Sequence, residues 1–343
     1  MLKFSCDYME GCHPAILRRL AEVNLEKNDG YGYDPYTRSA CDKIRLACEL
    51  PDAEVRLLVG GTQTNTIVLD ALLRHNEGVL AATTGHINVH ESGAIEACGH
   101  KVMAVPAIEG KIDIPRLEQH LHALTAEYDA VGWEHYVVPR VIYISFPTEM
   151  GTLYTRAELE QLRVLCDQYR LYLFVDGARL GYGLMSPACQ VTLPELARLC
   201  DVFYIGGTKV GAMFGEAVVV CNPDVTIPRG LVKQRGALLA KGWLLGLQFD
   251  TLFTDGLYFN IAGNAITQAM RLREGLIKKG YQMHGESPTN QQFLVMPNDR
   301  LPALAQQVGF DNFSPIDAHH TLIRLCTSWA TTEAQVNQLL DCM

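Results

Sequence analysis

Between residues 55 and 222, short runs rich in β-branched and aromatic residues alternate with longer amphipathic stretches, and this alternation constrains the fold more than any other feature. Val55–Val59, Val79–Ala82, Val102–Val105, Val137–Phe146, Leu171–Asp176, Val202–Gly206 and Ala217–Cys221 read as strands. Between them, Thr62–His75 follows a Gly-Gly turn and Ile114–Tyr128 places its apolar residues at helical spacing. Thr155–Tyr169 opens with Thr155 and Glu158 in the order of a capping box. Strands alternating with helices build βαβ units, so the expectation is an α/β large domain around a mostly parallel, seven-stranded sheet covered on both faces.

After Pro228 the pattern changes. Leu231–Phe253 and Ile261–Gly280 read as long helices, followed by strands near Phe293–Met296 and Thr321–Leu325 and helices near Arg300–Gln307 and Thr332–Leu340. This predicts a smaller C-terminal α+β domain, with the helix-like Pro14–Glu26 packed beside it. The expected division is 1–30 as an N-terminal segment packing with the small domain, 31–250 as the large domain, and 251–343 as the small domain. The 343 residues are 48% hydrophobic, enough for two such cores.

Charge and cysteines narrow the class. The net charge is -9 and no Lys/Arg-rich run occurs, which argues against nucleic acid as a partner. The N-terminal MLKFSCDYMEGCHP has no apolar signal core, and no apolar run reaches the roughly 18 residues of a membrane span. The eleven cysteines are odd in number, scattered and free of CxxC. They read as reduced, buried residues of a cytoplasmic protein, neither a disulfide framework nor a Cys-rich zinc site.

Four segments carry the chemistry. In LYLFVDGARLG (171–181) an apolar strand stops at Asp176, at the strand end where open α/β sheets bind ligands. A carboxylate placed there is either a functional acid or an N-cap for the next helix, and alone it reads first as a strand-end Asp in a DG turn. In DVFYIGGTKVGAMFGEAVVV (201–220) a strand runs into Gly206-Gly207-Thr208-Lys209, with Gly211 and Gly215 beyond, so the backbone can approach a ligand closely. Alone, Lys209 is an ordinary lysine. Together, a strand-end carboxylate and a glycine-flanked lysine at the next strand end suit pyridoxal 5'-phosphate (PLP): the carboxylate keeps the pyridine nitrogen protonated and the lysine forms a Schiff base with the aldehyde. In VGGTQTNTIVL (59–69), Gly60-Gly61-Thr62 turns a strand into a helix whose N-terminus and Thr62 hydroxyl suit an anion; the GK[ST] ending of a P-loop is missing. In GHINVHESGA (85–94), His86 follows a strand toward the same crevice, where it could stack on a ring or act as a base. His86 and His90 are four apart with Glu91 beside them, so a metal site competes, although HExxH order is absent.

These segments, with DGYGYDP (29–35) and LIRLCTSWATT (322–332), resemble the threonine aldolase and β-eliminating lyase group, PLP enzymes of fold type I, over nearly the whole chain. The resemblance implies that Lys209 holds the cofactor aldehyde, Asp176 binds the ring nitrogen and His86 stacks over the ring. It implies Gly61, Thr62 and Thr208 around the phosphate, and Arg179 and Arg324 as a clamp on the amino-acid carboxylate, a task suited to guanidinium. Lys241 resembles a basic residue sent to a neighbouring subunit's phosphate, and Tyr31 lines the same shared site. A homodimer is then the minimal active unit and a homotetramer the common assembly. The family's usual His after the strand preceding VDGAR is replaced here by Glu149, and Cys6 replaces a small polar residue. The implied reaction cleaves L-threonine, L-allo-threonine or a related β-hydroxy-α-amino acid to glycine and an aldehyde, with His86, Glu149 or water as base. β-Elimination and phenylserine-type cleavage are the alternatives, and no metal is expected.

Overall fold

The computed structural model describes residues 1–343. Its centre is a sheet of seven strands: β1 (Glu54–Leu58), β2 (Glu77–Ala82), β3 (Lys101–Val105), β4 (Val138–Ser145), β5 (Tyr172–Asp176), β6 (Val202–Gly206) and β7 (Glu216–Val220), in the order β1-β7-β6-β5-β4-β2-β3. β2 to β6 pair in parallel with their sheet neighbours; β7 alone runs antiparallel, to both β6 and β1. A short connection, residues 207–215, joins β6 to β7, too short for the helical crossover that parallel pairing requires.

The strands are apolar on both faces because both are buried. Alternate residues feed separate cores: Leu80, Ile142, Leu173, Val175, Phe203 and Ile205 join one, and Val79, Val141, Tyr143, Phe174 and Tyr204 the other. The parallel strands all finish at one edge of the sheet, where β7 begins. That edge therefore collects the segments after β1, β2, β4, β5 and β6 and the first residue of β7.

Helices follow their local signals. Arg156–Tyr169 starts at a complete Thr155/Glu158 capping box. The expected single helix over Leu231–Phe253 is instead two, Arg229–Gln234 and Trp243–Leu252. Gly236 takes a left-handed φ of 73° and ends the first. A helix not anticipated, Pro35–Cys48, begins at Asp34, whose carboxylate accepts the Thr37 N–H at 2.7 Å, with proline in the first turn. It lies against Trp243–Leu252 so closely that a Cβ at Gly246 would come within 2.4 Å of the Thr37 nitrogen.

A second sheet is built from Gln291–Pro297, His320–Cys326 and Asp311–Pro315, with the middle one in that list at its centre. Its core gathers Leu272, Leu276, Leu294, Ile323, Val336 and Leu339. The N-terminal segment is divided between the two cores. Leu2–Lys3 pairs with Val308–Gly309, and Phe4 enters the small-sheet core. Helix Pro14–Val23 rests on Trp243–Leu252, with Ile16 and Val23 in the large core. No helix is long and apolar enough to cross a membrane.

Candidate active site

The carboxyl edge of the central sheet opens into a cleft of about 380 Å³. Gly61, Thr62, His86, Glu149, Asp176, Arg179, Thr208 and Lys209 all line it. Sheet order alone accounts for this convergence, since each lies at or just beyond a strand's edge end.

Asp176 closes β5 and is 4% exposed. Its Oδ1 accepts the Tyr204 hydroxyl at 2.5 Å and the Ala178 N–H at 3.0 Å; its Oδ2 accepts the Tyr143 hydroxyl at 2.5 Å and Asn65 Nδ2 at 3.1 Å. Burial pushes this carboxyl up, but the nearby His86 and the two tyrosine hydroxyls more than compensate, and it is held below the usual carboxylate range. Asp176 is therefore ionised at neutral pH, the state a protonated ring nitrogen needs opposite it. The Ala178 bond is the local turn contact the sequence allowed for; the other three come from elsewhere.

Lys209 is partly buried on the β6–β7 connection, and its ammonium has no hydrogen bond or ion pair in the chain. The ring of Tyr8 lies 6.0 Å away. Burial and the Arg179 charge lower its pKa, which favours the free amine. Below it, Glu216 at the start of β7 is 3% exposed; its carboxylate accepts the Gly207 N–H at 2.9 Å and the Thr208 hydroxyl at 2.8 Å. With no cation paired to it, burial pushes Glu216 up to about 7.

Arg179 is held by a buried carboxylate at Asp7, which takes its Nε at 2.6 Å and Nη2 at 2.9 Å. Burial opposes the charge on Asp7, but Arg179, Lys209 and Asn290 hold its pKa down at about 2. This fork aims the guanidinium and leaves Nη1 without a protein partner. Glu149 accepts both the Ser145 hydroxyl, at 2.6 Å, and the His86 backbone N–H, at 3.0 Å, on one oxygen, Oε1. Burial raises its pKa.

Three sequence candidates stand apart. Arg324, on the small sheet, bonds Asp311 at 2.7 Å and Gln291 at 2.8 Å and does not line the cleft. Tyr31 and Lys241 lie in adjoining segments, with the Tyr31 N–H bonded to the Ala240 carbonyl at 3.3 Å. Tyr31 lines a different cavity of about 360 Å³. Conversely, Asp7, Asn65, Glu91, Tyr143, Tyr204 and Glu216 line or support the cleft without having been singled out for these roles. Tyr143 and Tyr204 read in the sequence as core aromatics, and only their strand-end positions hint otherwise.

The cleft fits PLP. Helix Gly61–Leu72 has no side-chain N-cap, so its first N–H groups are free for a phosphate, and a Cβ at Gly60 would meet nothing within 4 Å. An unpaired lysine and an ionised strand-end carboxylate stand in the same cleft. Sheet, lysine and carboxylate together define a PLP-dependent enzyme of fold type I. The comparisons agree. Residues 4–295 match the beta-eliminating lyase family, and the chain belongs to it. It is similar to the low specificity L-threonine aldolase of a Pseudomonas species, 28% identical over 342 residues that cover 98% of this chain and 95% of the relative. The structure of a Leishmania major threonine aldolase is 42% identical, covers 99% of this chain and 98% of its own, and superposes with a TM-score of 0.95. A Thermus thermophilus aspartate aminotransferase mutant, 16% identical, shares the fold with a TM-score of 0.68 over 100% of this chain and 90% of its own.

Proposed function

We propose that this protein cleaves L-threonine, L-allo-threonine or a close β-hydroxy-α-amino acid to glycine and an aldehyde. The observation that carries the reading is the 42% identity across 99% of the chain to a threonine aldolase. In this reading Lys209 holds the PLP aldehyde, Asp176 faces the ring nitrogen, His86 covers the ring, and Gly61, Thr62 and Thr208 surround the phosphate. Bound there, PLP supplies an electron sink for the Cα–Cβ bond.

The remaining work falls to the chain. Arg179, braced by Asp7, offers its free Nη1 to the substrate carboxylate; Arg324 completes the clamp, exchanging Asp311 for the substrate. A carboxylate held at both ends turns the Cα–Cβ bond to a single orientation. Glu149 accepts the β-hydroxyl proton, the Cβ fragment leaves as the aldehyde, and a proton delivered to Cα in its place completes glycine. Its raised pKa makes it a stronger base than an exposed glutamate. Lys241 and Tyr31, which do not line this chain's cleft, serve the cleft of a partner subunit, so the homodimer is the minimal unit and a homotetramer the expected assembly. The cytoplasm is the proposed compartment, in keeping with eleven unpaired cysteines.

The test is product analysis of the purified protein with added PLP. Acetaldehyde and glycine from L-threonine are expected; pyruvate and ammonia from L-serine without aldehyde would replace aldol cleavage by β-elimination. Borohydride should fix the yellow chromophore onto Lys209, and Lys209→Ala should abolish turnover. Unimpaired turnover by that variant would remove Lys209 from the chemistry.

A further inference from the structure

Four polar side chains that line the cleft, His86, Glu91, Asn65 and Asp176, form an unbroken hydrogen-bonded run. Glu91 Oε1 lies 2.8 Å from His86 Nδ1 and 2.7 Å from Asn65 Nδ2. The same Asn65 nitrogen lies 3.1 Å from Asp176 Oδ2. The Glu91 side chain is 0% exposed, and Asn65 is 1% exposed.

The partners dictate where the protons sit. An ionised carboxylate only accepts, so His86 must carry a hydrogen on Nδ1. In the neutral ring Nε2 then holds the lone pair, and Nε2 has no partner in the chain. Asn65 has two hydrogens on Nδ2, one for each carboxylate. The flipped amide would set Oδ1 against two carboxylate oxygens, so the orientation follows from the network. Its consequence is that Asn65 Oδ1 is buried without a partner, as is Glu91 Oε2. Every favourable contact of Glu91 thus falls on Oε1. A buried carboxylate with one oxygen unsatisfied is costly, and the Asn65 and His86 N–H groups on Oε1 are its compensation.

We propose that Glu91 is a positioning residue that fixes His86 as the Nδ1–H tautomer and orients its ring, while Asn65 ties this pair to Asp176. Neutral His86 then presents an acceptor at Nε2 and cannot donate from it. The relevance to catalysis rests on the reading that His86 covers the bound cofactor; the tautomer is a property of the chain itself.

The experiment is long-range proton–nitrogen NMR of protein labelled with ¹⁵N-histidine, recorded with and without added PLP and assigned by loss of the His86 signals in His86→Asn. In neutral His86 a protonated Nδ1 and an unprotonated Nε2 are expected. Glu91→Gln retains an accepting oxygen and should retain the tautomer. Glu91→Leu should shift His86 to the Nε2–H form that free histidine prefers, and lower kcat/KM for L-threonine roughly 10- to 100-fold, the range seen when orienting partners of metal-bound histidines are removed. Borohydride labelling of Lys209 should persist in both variants. Nε2–H in the wild type, or an unchanged tautomer in Glu91→Leu, would overturn the proposal. If the leucine variant does not fold, the wild-type and glutamine spectra decide. Absence of Lys209 labelling in the wild type would sink the cofactor reading and leave the tautomer result standing.

Discussion

Two glutamates at the cleft, Glu149 and Glu216, have carboxyl pKa values raised by desolvation, and each carries a different prediction. Glu149 lies among donors and can accept a proton. Glu149→Gln should lower kcat for threonine cleavage by roughly 10²–10⁴-fold, the usual worth of a general base, with KM little changed. Steady-state kinetics with coupled acetaldehyde detection would show it, and an unchanged kcat would return the role to His86 or water. Glu216 makes a prediction about stability. Its carboxyl keeps its proton up to about pH 7 in the folded chain, against 4.5 for an ordinary glutamate. Between those limits the folded state binds more protons than the unfolded state, so stability must fall as pH rises through this window. Neighbouring Lys209 and the Gly207 and Thr208 donors limit the fall without reversing it. Melting temperatures of cofactor-free protein from pH 5 to 8 should decline less steeply in Glu216→Gln. Parallel slopes for the two proteins would remove Glu216 as the cause.

At the scale of elements, the site depends on backbone meeting backbone where β5 and β6 end. A Cβ at Gly177 would lie 1.8 Å from the Tyr204 carbonyl oxygen, and one at Gly206 would lie 2.2 Å from the Ala178 carbonyl oxygen. No side chain can yield there, because the obstacle is backbone. Gly177→Ala should therefore part the two strand ends that carry Asp176 and Lys209, cost about 2–3 kcal/mol and weaken PLP binding. Urea denaturation and cofactor titration measure both effects; a variant with wild-type stability would mean the ends separate freely. The helices show the local side of the same scale. The Thr155 capping box was readable from four residues. The break after Gln234 was not, because Leu231–Phe253 has helix-forming residues on either side of Gly236 and the interruption serves packing against Pro35–Cys48.

For the whole molecule, the separation of Lys241 and Tyr31 from the cleft of their own chain makes a prediction about assembly. A Lys209→Ala subunit and a Lys241→Ala subunit should each be inactive or weak alone, yet a mixed dimer should regain one intact site carrying wild-type Lys209 and Lys241. Activity recovered after mixing and refolding, at up to about a quarter of the wild-type level for random pairing with one sound site in half the dimers, supports shared sites. No recovery, with mixed dimers demonstrated by mass spectrometry, would confine each site to one chain.

Sequence by itself determined what depends on neighbours in the chain: seven apolar strands, the alternation that makes most of them parallel, helix starts at Thr155 and Thr332, and a lysine and an aspartate each at the end of its strand. It also placed the resemblance that named the cofactor. Tertiary structure decided which groups those residues meet. Asp7 reaches Arg179 across 172 positions, and Asn65 reaches Asp176 across 111. Such pairs follow from strand order and register, which no local period encodes. Which groups Asp176 and His86 meet, two tyrosine hydroxyls and Asn65 for the one and the Glu91 carboxylate for the other, turned on hydrogen bonds between segments that only the folded sheet brings to one edge.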